Sequence, residues 1–434
     1  MGGLREALNA FEAAGGLIHV TKEVSTRYEA ARILAERCDD SVVVFDRIAG
    51  FRNKIVANVC SSKRRLAQGM DVHESKLYDV FTSAVASPVQ PRISSGYDSD
   101  MKEEDPSLKN LPILTHFPRD PGPYLTSAIV STRDPEGAEN ISIHRMLVID
   151  DKHLAIRIVP RHLYRITQMA KKLGKKSLNV GVAIGVDPAV LLAASAPVPF
   201  GVSEYSVANA MMNGSLSLVQ CSNADVNVPA GSEVVLEGQI LLDRESDEGP
   251  FVDLTGTYDV VRKQPVIEIE KMFVRDNYIY QALLPGGAEH KTLMGFPYET
   301  RIWSALKTTI PGVKAVTLTP GGCGWLHAVI SIQKQTEGDG KNALLAAFGA
   351  HPSLKHAVVV DEDIDVNNPS DIEWAIATRF RADKGLVVID NVRGSSLDPS
   401  ADQTTLVGAK MGLDATRSLS KPKEKFEKAK ITEP

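Results

Sequence analysis

Glu233-Val234-Val235-Leu236-Glu237-Gly238-Gln239-Ile240-Leu241-Leu242 is a short apolar run rich in β-branched residues, a composition that suits a pleated, half-buried strand. Runs of the same kind recur on both sides of it, at 128–131, 146–150, 154–159, 179–184, 255–259, 266–273 and 279–282, with polar turns between them. Many short strands spaced by turns predict a barrel or sandwich. Two helical patterns, at 163–173 and 188–196, interrupt it.

The flanks read differently. Toward the N-terminus, helices at 4–14 and 28–38 alternate with strands at 17–20, 42–45 and 55–58, which argues an α/β unit. Seven prolines between 87 and 123 predict a linker that wraps a surface. After Pro285 the alternation returns, through 298–308, 313–319, 327–332, 340–348, 356–360, 371–380 and 386–389. The expectation is a multidomain chain of α+β or α/β class: an N-terminal α/β domain with linker over 1–105, a central barrel over 106–285 and a C-terminal α/β domain over 286–434. The tail from 418 is rich in Lys and Glu and reads as a docking helix or a frayed end.

Composition narrows the function. The 434 residues are 43% hydrophobic and 24% charged, which excludes disordered and fibrous classes. A net charge of -5 without a long basic tract argues against nucleic acid. The four cysteines, Cys38, Cys60, Cys221 and Cys323, form no CxxC pair, so a reducing, cytoplasmic setting is expected. No signal peptide and no long apolar run is seen, so neither secretion nor membrane insertion is expected.

The common phosphate, zinc and nucleophile motifs are absent, and four polar clusters beside apolar strands remain. In Glu139-Asn140-Ile141-Ser142-Ile143-His144-Arg145-Met146, alternation puts Asn140, Ser142 and His144 on one face and Arg145 on the other. A buried Arg wants a carboxylate, and an Asn near an acid or His can ligate a hard cation; ordinary cross-strand pairing is the plainer reading. His162, in Pro160-Arg161-His162-Leu163-Tyr164-Arg165, is a metal ligand or a helix-start His bonded to backbone. Glu204 follows Ser203, which looks like an N-cap; capping explains the Glu as well as metal ligation does. Glu248 and Asp253 flank Gly249-Pro250, a turn that lets both acids enter one pocket, or leaves a solvated acidic hairpin.

These clusters, in this order, together with Leu283-Leu284-Pro285-Gly286-Gly287-Ala288-Glu289-His290-Lys291 and Val359-Val360-Asp361-Glu362-Asp363-Ile364-Asp365, resemble the UbiD family of decarboxylases over nearly the whole chain. The resemblance implies a lyase and flavoprotein whose central domain is a split β-barrel, using prenylated FMN supplied by a separate flavin prenyltransferase. It implies Mn²⁺ or Mg²⁺ held by Asn140, His162 and Glu204, with K⁺ near Ala194 and Ser195. Arg145, Glu248 and Asp253 fall on the catalytic set. Ser142, Ile143, His144, Arg145, Arg161, His162, Glu204 and Lys334 fall on cofactor contacts. A homodimer or homohexamer follows from the same resemblance.

The substrate implied is a small unsaturated carboxylic acid. The short chain is similar to the compact archaeal members, which implies decarboxylation of trans-anhydromevalonate 5-phosphate to isopentenyl phosphate in a modified mevalonate pathway. Arg161, Arg165 and Lys63-Arg64-Arg65 are the cations offered to its phosphate. An aromatic acid, a hydroxybenzoate or polyprenylated relative, is the alternative substrate. A non-catalytic scaffold or cofactor-binding subunit is the alternative of another class.

Overall fold

In the computed structural model, which describes residues 3–37, 40–94, 96–222 and 226–429, the run around Val235 is the start of a longer strand, Val234–Glu248. It pairs antiparallel with Arg262–Arg275, and the register breaks at Glu237/Gly238 and again at Leu241/Glu245. At the first break a side chain on Gly238 would meet the Glu268 carbonyl at 2.0 Å, so only glycine admits that approach. The sequence reading stops at Leu242 because the next residues are polar. They continue the strand as an exposed ribbon that ends on the buried Glu248.

The chain divides into two compact units, Met1–Leu293 and Met294–Pro434. The larger is built on a nine-stranded antiparallel sheet. Its order is Tyr124–Leu125, Met146–Val148, His153–Ile156, Arg262–Arg275, Val234–Glu248, Ser177–Ile184, Ile129–Arg133 and Glu139–Ile143, with Met101–Glu104 added beside Arg262–Arg275. The path begins and ends at nearly the same point of the chain. Glu139–Ile143 is the last strand, Met146–Val148 is the second, and only His144 and Arg145 join them. A two-residue link spans at most about 10 Å, so the sheet must curl until its two ends nearly meet. Arg145 stands at that seam.

The expected linker is partly sheet. Met101–Glu104 pairs with Arg262–Arg275, and Arg92–Ser94 pairs with Ser217–Gln220. Prolines punctuate the segment without keeping its short polar runs out of the ladder. A second, four-stranded sheet takes Leu17–Val24, Val42–Ile48 and Lys54–Ala57 from the N-terminus and Ile279–Gln281 from beyond the large sheet. One apolar core, containing Phe45, Ile55, Val182, Ile267 and Tyr280, runs through both sheets.

The smaller unit is a five-stranded sheet in the order Val313–Leu318, His327–Ile332, His356–Asp361, Val407–Asp414, Leu386–Arg393, with helices Asp339–Ala350 and Pro369–Arg379. The strand Val407–Asp414 escapes the sequence reading, since its pattern is broken by Gly408, Lys410 and Gly412. Buried Arg379 is held by Asp361 and Asp363 at 2.6 Å each. Cys60, Cys221 and Cys323 are unbridged, as the composition suggests, while Cys38 and the last five residues of the tail lie outside the described residues.

Glu289, in the first turn of the helix Ala288–Thr309, accepts the backbone N–H groups of Asn58 at 2.8 Å and Cys60 at 2.9 Å. Burial pushes its carboxyl up to about 7 against the pull of those donors. The unfolded chain releases this proton near the ordinary carboxylate value and the folded chain holds it longer. Stability therefore falls as pH rises from about 4.5 to about 7, and flattens above. Burial accounts for a slope of order 3 kcal/mol across that window. We expect Glu289→Gln to remove that part of the slope in denaturant titrations at pH 5 and pH 8; identical slopes in both proteins would refute the assignment.

Candidate active site

Two polar groups sit on the curled sheet, one at the seam and one beside it. At the seam, the Arg145 side chain is only 8% exposed and donates four hydrogen bonds. Nε and Nη2 grip Glu248 at 2.8 and 2.9 Å, Nη1 reaches Asp253 at 2.9 Å, and Nη2 also reaches Asp259 at 3.0 Å. Phe251 lies under the guanidinium with its ring centre 4.6 Å from Cζ, a cation–π contact. Burial by itself lowers the pKa of this arginine. The bonds to Glu248 and the attraction of Asp253 and Asp259 outweigh that and hold its pKa above the ordinary value.

The turn expected between the two acids does bring both to one guanidinium. Gly249 adopts φ +100, and a Cβ there would crowd the Val260 carbonyl at 2.9 Å, so the turn depends on glycine. Glu248 is fully buried and is braced by Tyr124, whose hydroxyl donates to it at 3.2 Å and accepts the Gly249 N–H at 3.1 Å. Asp253 keeps 22% of its side chain exposed, which makes it the more accessible acid.

Beside the seam, Asn140, Glu204 and His162 converge from a strand and two helix starts. Asn140 Nδ2 donates to Glu204 Oε1 at 3.0 Å, the Ile141 N–H donates to Oε2 at 2.9 Å, and His162 Nδ1 lies 3.6 Å from Oε1. Ser203 stands at the N-cap of the helix Glu204–Met211 as expected, but its side chain makes no cap bond and donates instead to Glu139 at 3.1 Å. His162 likewise opens its helix, His162–Lys172, without capping it. Asn140 Oδ1 is buried without a partner, and a recess of about 10 Å³ beside this group is lined by Asn140, His162, Glu139 and Phe200 but not by Glu204. An orphaned amide oxygen, the Glu204 carboxylate and the His162 imidazole close to one another are donors that suit a hard divalent cation. Among the described residues no cluster of three His, Cys, Asp or Glu side chains is placed to hold a metal, and the set here depends on its asparagine.

His144 links the two groups. Its Nδ1 donates to the Arg157 carbonyl at 2.7 Å, so Nε2 accepts from Ser142 Oγ at 2.8 Å. Burial, aided by the charges of Arg161 and Arg157, takes its pKa down to about 4 and keeps it neutral. Ile143 pairs with Ile129 in the ladder. Lys334 belongs to the smaller unit, where it donates to Glu337 at 2.6 Å and to the Arg417 carbonyl at 3.2 Å. Of the cations offered to a phosphate, Arg65 is buried against Asp40 and Gln68, Lys63 donates to Tyr78, and Arg165 lies 3.8 Å over Phe200.

Sequence reasoning misses Asp259, whose strand position is recognised but whose role emerges only when the hairpin folds over Arg145. Arg262, at 2.5 Å, and Arg145 keep its pKa low against burial. It also misses His290, quoted only as part of a motif. That imidazole accepts the Gly286 N–H at 3.1 Å, and burial lowers its pKa while Asp253 pulls the other way.

Family comparisons agree with this geometry. The sequence model of the 3-octaprenyl-4-hydroxybenzoate carboxy-lyase N-terminal domain matches residues 8–85, that of its Rift-related domain 93–288, and that of its C-terminal domain 291–415. The chain belongs to the UbiD family of carboxy-lyases. It is 46% identical to an anhydromevalonate phosphate decarboxylase of Methanothermobacter thermautotrophicus over 95% of this chain and 97% of that protein. It is 44% identical to one of Methanocaldococcus jannaschii over the same shares. Among solved structures, the UbiD-class enzyme HmfF of Pelotomaculum thermopropionicum, in complex with FMN, superposes with a TM-score of 0.94 at 38% identity, covering 99% of this chain and 97% of that one. The 3,4-dihydroxybenzoic acid decarboxylase of Enterobacter cloacae superposes at 0.91 with 26% identity, covering 100% and 98%. Among the described residues no helix is long and apolar enough to cross a membrane.

Removing one partner of a buried ion pair strands the other charge, which costs about 3–5 kcal/mol. Glu248→Ala should lose that much in urea unfolding, whereas Asp253→Ala, at a more exposed site, should lose under about 1 kcal/mol. Equal losses would mean that the two acids are not divided into an inner support and an outer, working group.

Proposed function

We propose that the protein decarboxylates trans-anhydromevalonate 5-phosphate to isopentenyl phosphate and CO₂ with prenylated FMN as cofactor. Arg145 bound by Glu248 and Asp253 is the observation that carries the reaction class. Identities of 42 to 46% to archaeal anhydromevalonate phosphate decarboxylases support the substrate. The structure of an evolved dimeric HmfF in complex with prFMN, with a TM-score of 0.91 at 36% identity, supports the cofactor.

When bound, the prenylated flavin supplies the electron sink for the pair left behind by CO₂. We read the curled sheet as the split barrel that holds it. Asn140, His162 and Glu204 would hold Mn²⁺ or Mg²⁺, with Ser142, Ile143, His144 and Arg161 as further cofactor contacts. Backbone oxygens at Ala194 and Ser195, at the C-terminal end of the helix Pro188–Ala194, would hold K⁺. A flavin prenyltransferase would supply the cofactor, and the chain would work as a homodimer or homohexamer in the cytoplasm. We keep the sequence-based layout of three domains, at 1–105, 106–285 and 286–434, as the working division.

Arginine has five N–H donors, and four are engaged on Arg145. A substrate carboxylate needs two for bidentate binding, so one acid must yield. Glu248 is buried and doubly bonded, and Asp259 is held by Arg262 as well, while Asp253 makes a single bond to a guanidinium. Substrate binding would thus detach Asp253 from the guanidinium. A carboxyl freed in this way is placed to carry a proton to the carbon that loses CO₂. Glu248 then keeps Arg145 aimed throughout.

An aromatic acid is the weaker reading, because relatives of that kind share the fold at 26% identity. A scaffold role has no use for a guanidinium held by three carboxylates.

The test is CO₂ release from trans-anhydromevalonate 5-phosphate by anaerobically purified protein co-expressed with a flavin prenyltransferase. Turnover that vanishes without the prenyltransferase is expected; none from protein whose spectrum shows the bound cofactor would overturn the substrate. Asp253→Asn should lower kcat by about 10²–10⁴-fold with KM little changed. His162→Ala should lower the manganese content of the purified protein by metal analysis, and unchanged metal would remove His162 from the ligand set.

A further inference from the structure

Arg157 follows the strand His153–Ile156, and its backbone is fixed at both ends of the seam: its N–H donates to the Arg145 carbonyl at 3.1 Å, and its own carbonyl accepts from His144 at 2.7 Å. Its side chain, 19% exposed, is directed at the acid that braces Arg145. Nε lies 4.0 Å from Asp259 Oδ2, the same oxygen that Arg145 Nη2 holds at 3.0 Å. Arg262 takes the other oxygen of Asp259 at 2.5 Å. One carboxylate thus stands among three guanidiniums, and it is bonded to the other two.

Arg157 is left without a hydrogen-bonded counter-ion among the described residues. Burial and the neighbouring charges of Arg262 and Arg145 lower its pKa, and the more distant pull of Asp259 and Glu248 does not cancel them. A partly buried guanidinium in that situation is unfavourable until an anion arrives. Its planar fork matches a phosphate better than a lysine would.

We infer that Arg157, with Arg262 beside it, forms the subsite for the phosphate of the substrate. This rests on the proposed reaction and deepens it. Of the cations offered from sequence, Arg65, Lys63 and Arg165 have partners elsewhere and Arg64 and Arg161 are exposed, whereas Arg157 is partly buried and lies 4.0 Å from the Asp259 oxygen that Arg145 holds. The two guanidinium nitrogens that flank this oxygen are at most about 7 Å apart, so a short acid that carries a phosphate on its far carbon can reach both. The shared chemistry is a phosphate monoester, and the cofactor carries one too.

Steady-state kinetics of Arg157→Met holoenzyme separate these cases. Loss of a charged hydrogen-bond partner should raise KM for trans-anhydromevalonate 5-phosphate about 10- to 100-fold, with kcat within about threefold, and with flavin content unchanged. The dephosphorylated acid, used as a competitive inhibitor, should keep its Ki. Arg157→Lys should recover part of the loss, and it serves as the readout if the Met variant folds poorly. An unchanged KM, or an equal rise in KM and in the inhibitor's Ki, overturns the inference and leaves the proposed reaction standing. A fall in bound flavin would give the arginine to the cofactor's phosphate and overturn it as well. Wild-type holoenzyme inactive on the phosphorylated acid would overturn the substrate reading and this subsite together.

Discussion

A guanidinium at the meeting point of two sheet ends must have its charge answered from several directions, and the fold of the larger unit supplies those answers around Arg145. Glu248 comes from the far end of the strand Val234–Glu248, Asp253 and Asp259 from the hairpin after it, and Phe251 from between them. All of these partners lie on one short stretch of chain around the Gly249 turn. A correctly formed hairpin and a closed seam are therefore two views of one event. Tyr124 ties in the opposite end of the sheet by bonding to both Glu248 and Gly249.

The metal-type cluster follows a different rule. Asn140, Glu204 and His162 are set by where elements begin: a strand, and two helices whose first residues face inward. Helix starts place side chains with little freedom, because the first turn fixes their direction. The unpartnered Asn140 oxygen marks the place where the protein alone leaves the chemistry unfinished.

Legibility from sequence tracked these two rules. Asn140, His162, Glu204, Arg145, Glu248 and Asp253 stand in motifs, and the structure brings them into the two expected groups. The acid pair around Gly249-Pro250 was readable because turn chemistry is local. Strands of the central segment were readable where they are buried and β-branched, and they were cut short where one became an exposed polar ribbon, as after Leu242. Val407–Asp414 was lost to its glycines, and the pairing of Met101–Glu104 was hidden in a segment that composition marks as linker. Asp259 and Arg157 had no local signal at all. An acid at a strand end and an arginine after another strand are ordinary surface residues until long-range pairing sets them against the same guanidinium. Ser203 misled in the opposite way, since a good capping residue beside a helix start found a better partner in Glu139.

The two-residue link His144-Arg145 leaves no slack between the ends of the curled sheet. Any change that widened the sheet to admit a bulkier guest would draw Arg145 away from Glu248 and blunt the grip on a carboxylate. Diversification of what such a scaffold accepts must therefore proceed by recarving walls at fixed girth. Relatives that take different acids should differ in the side chains that face the cavity while preserving its circumference.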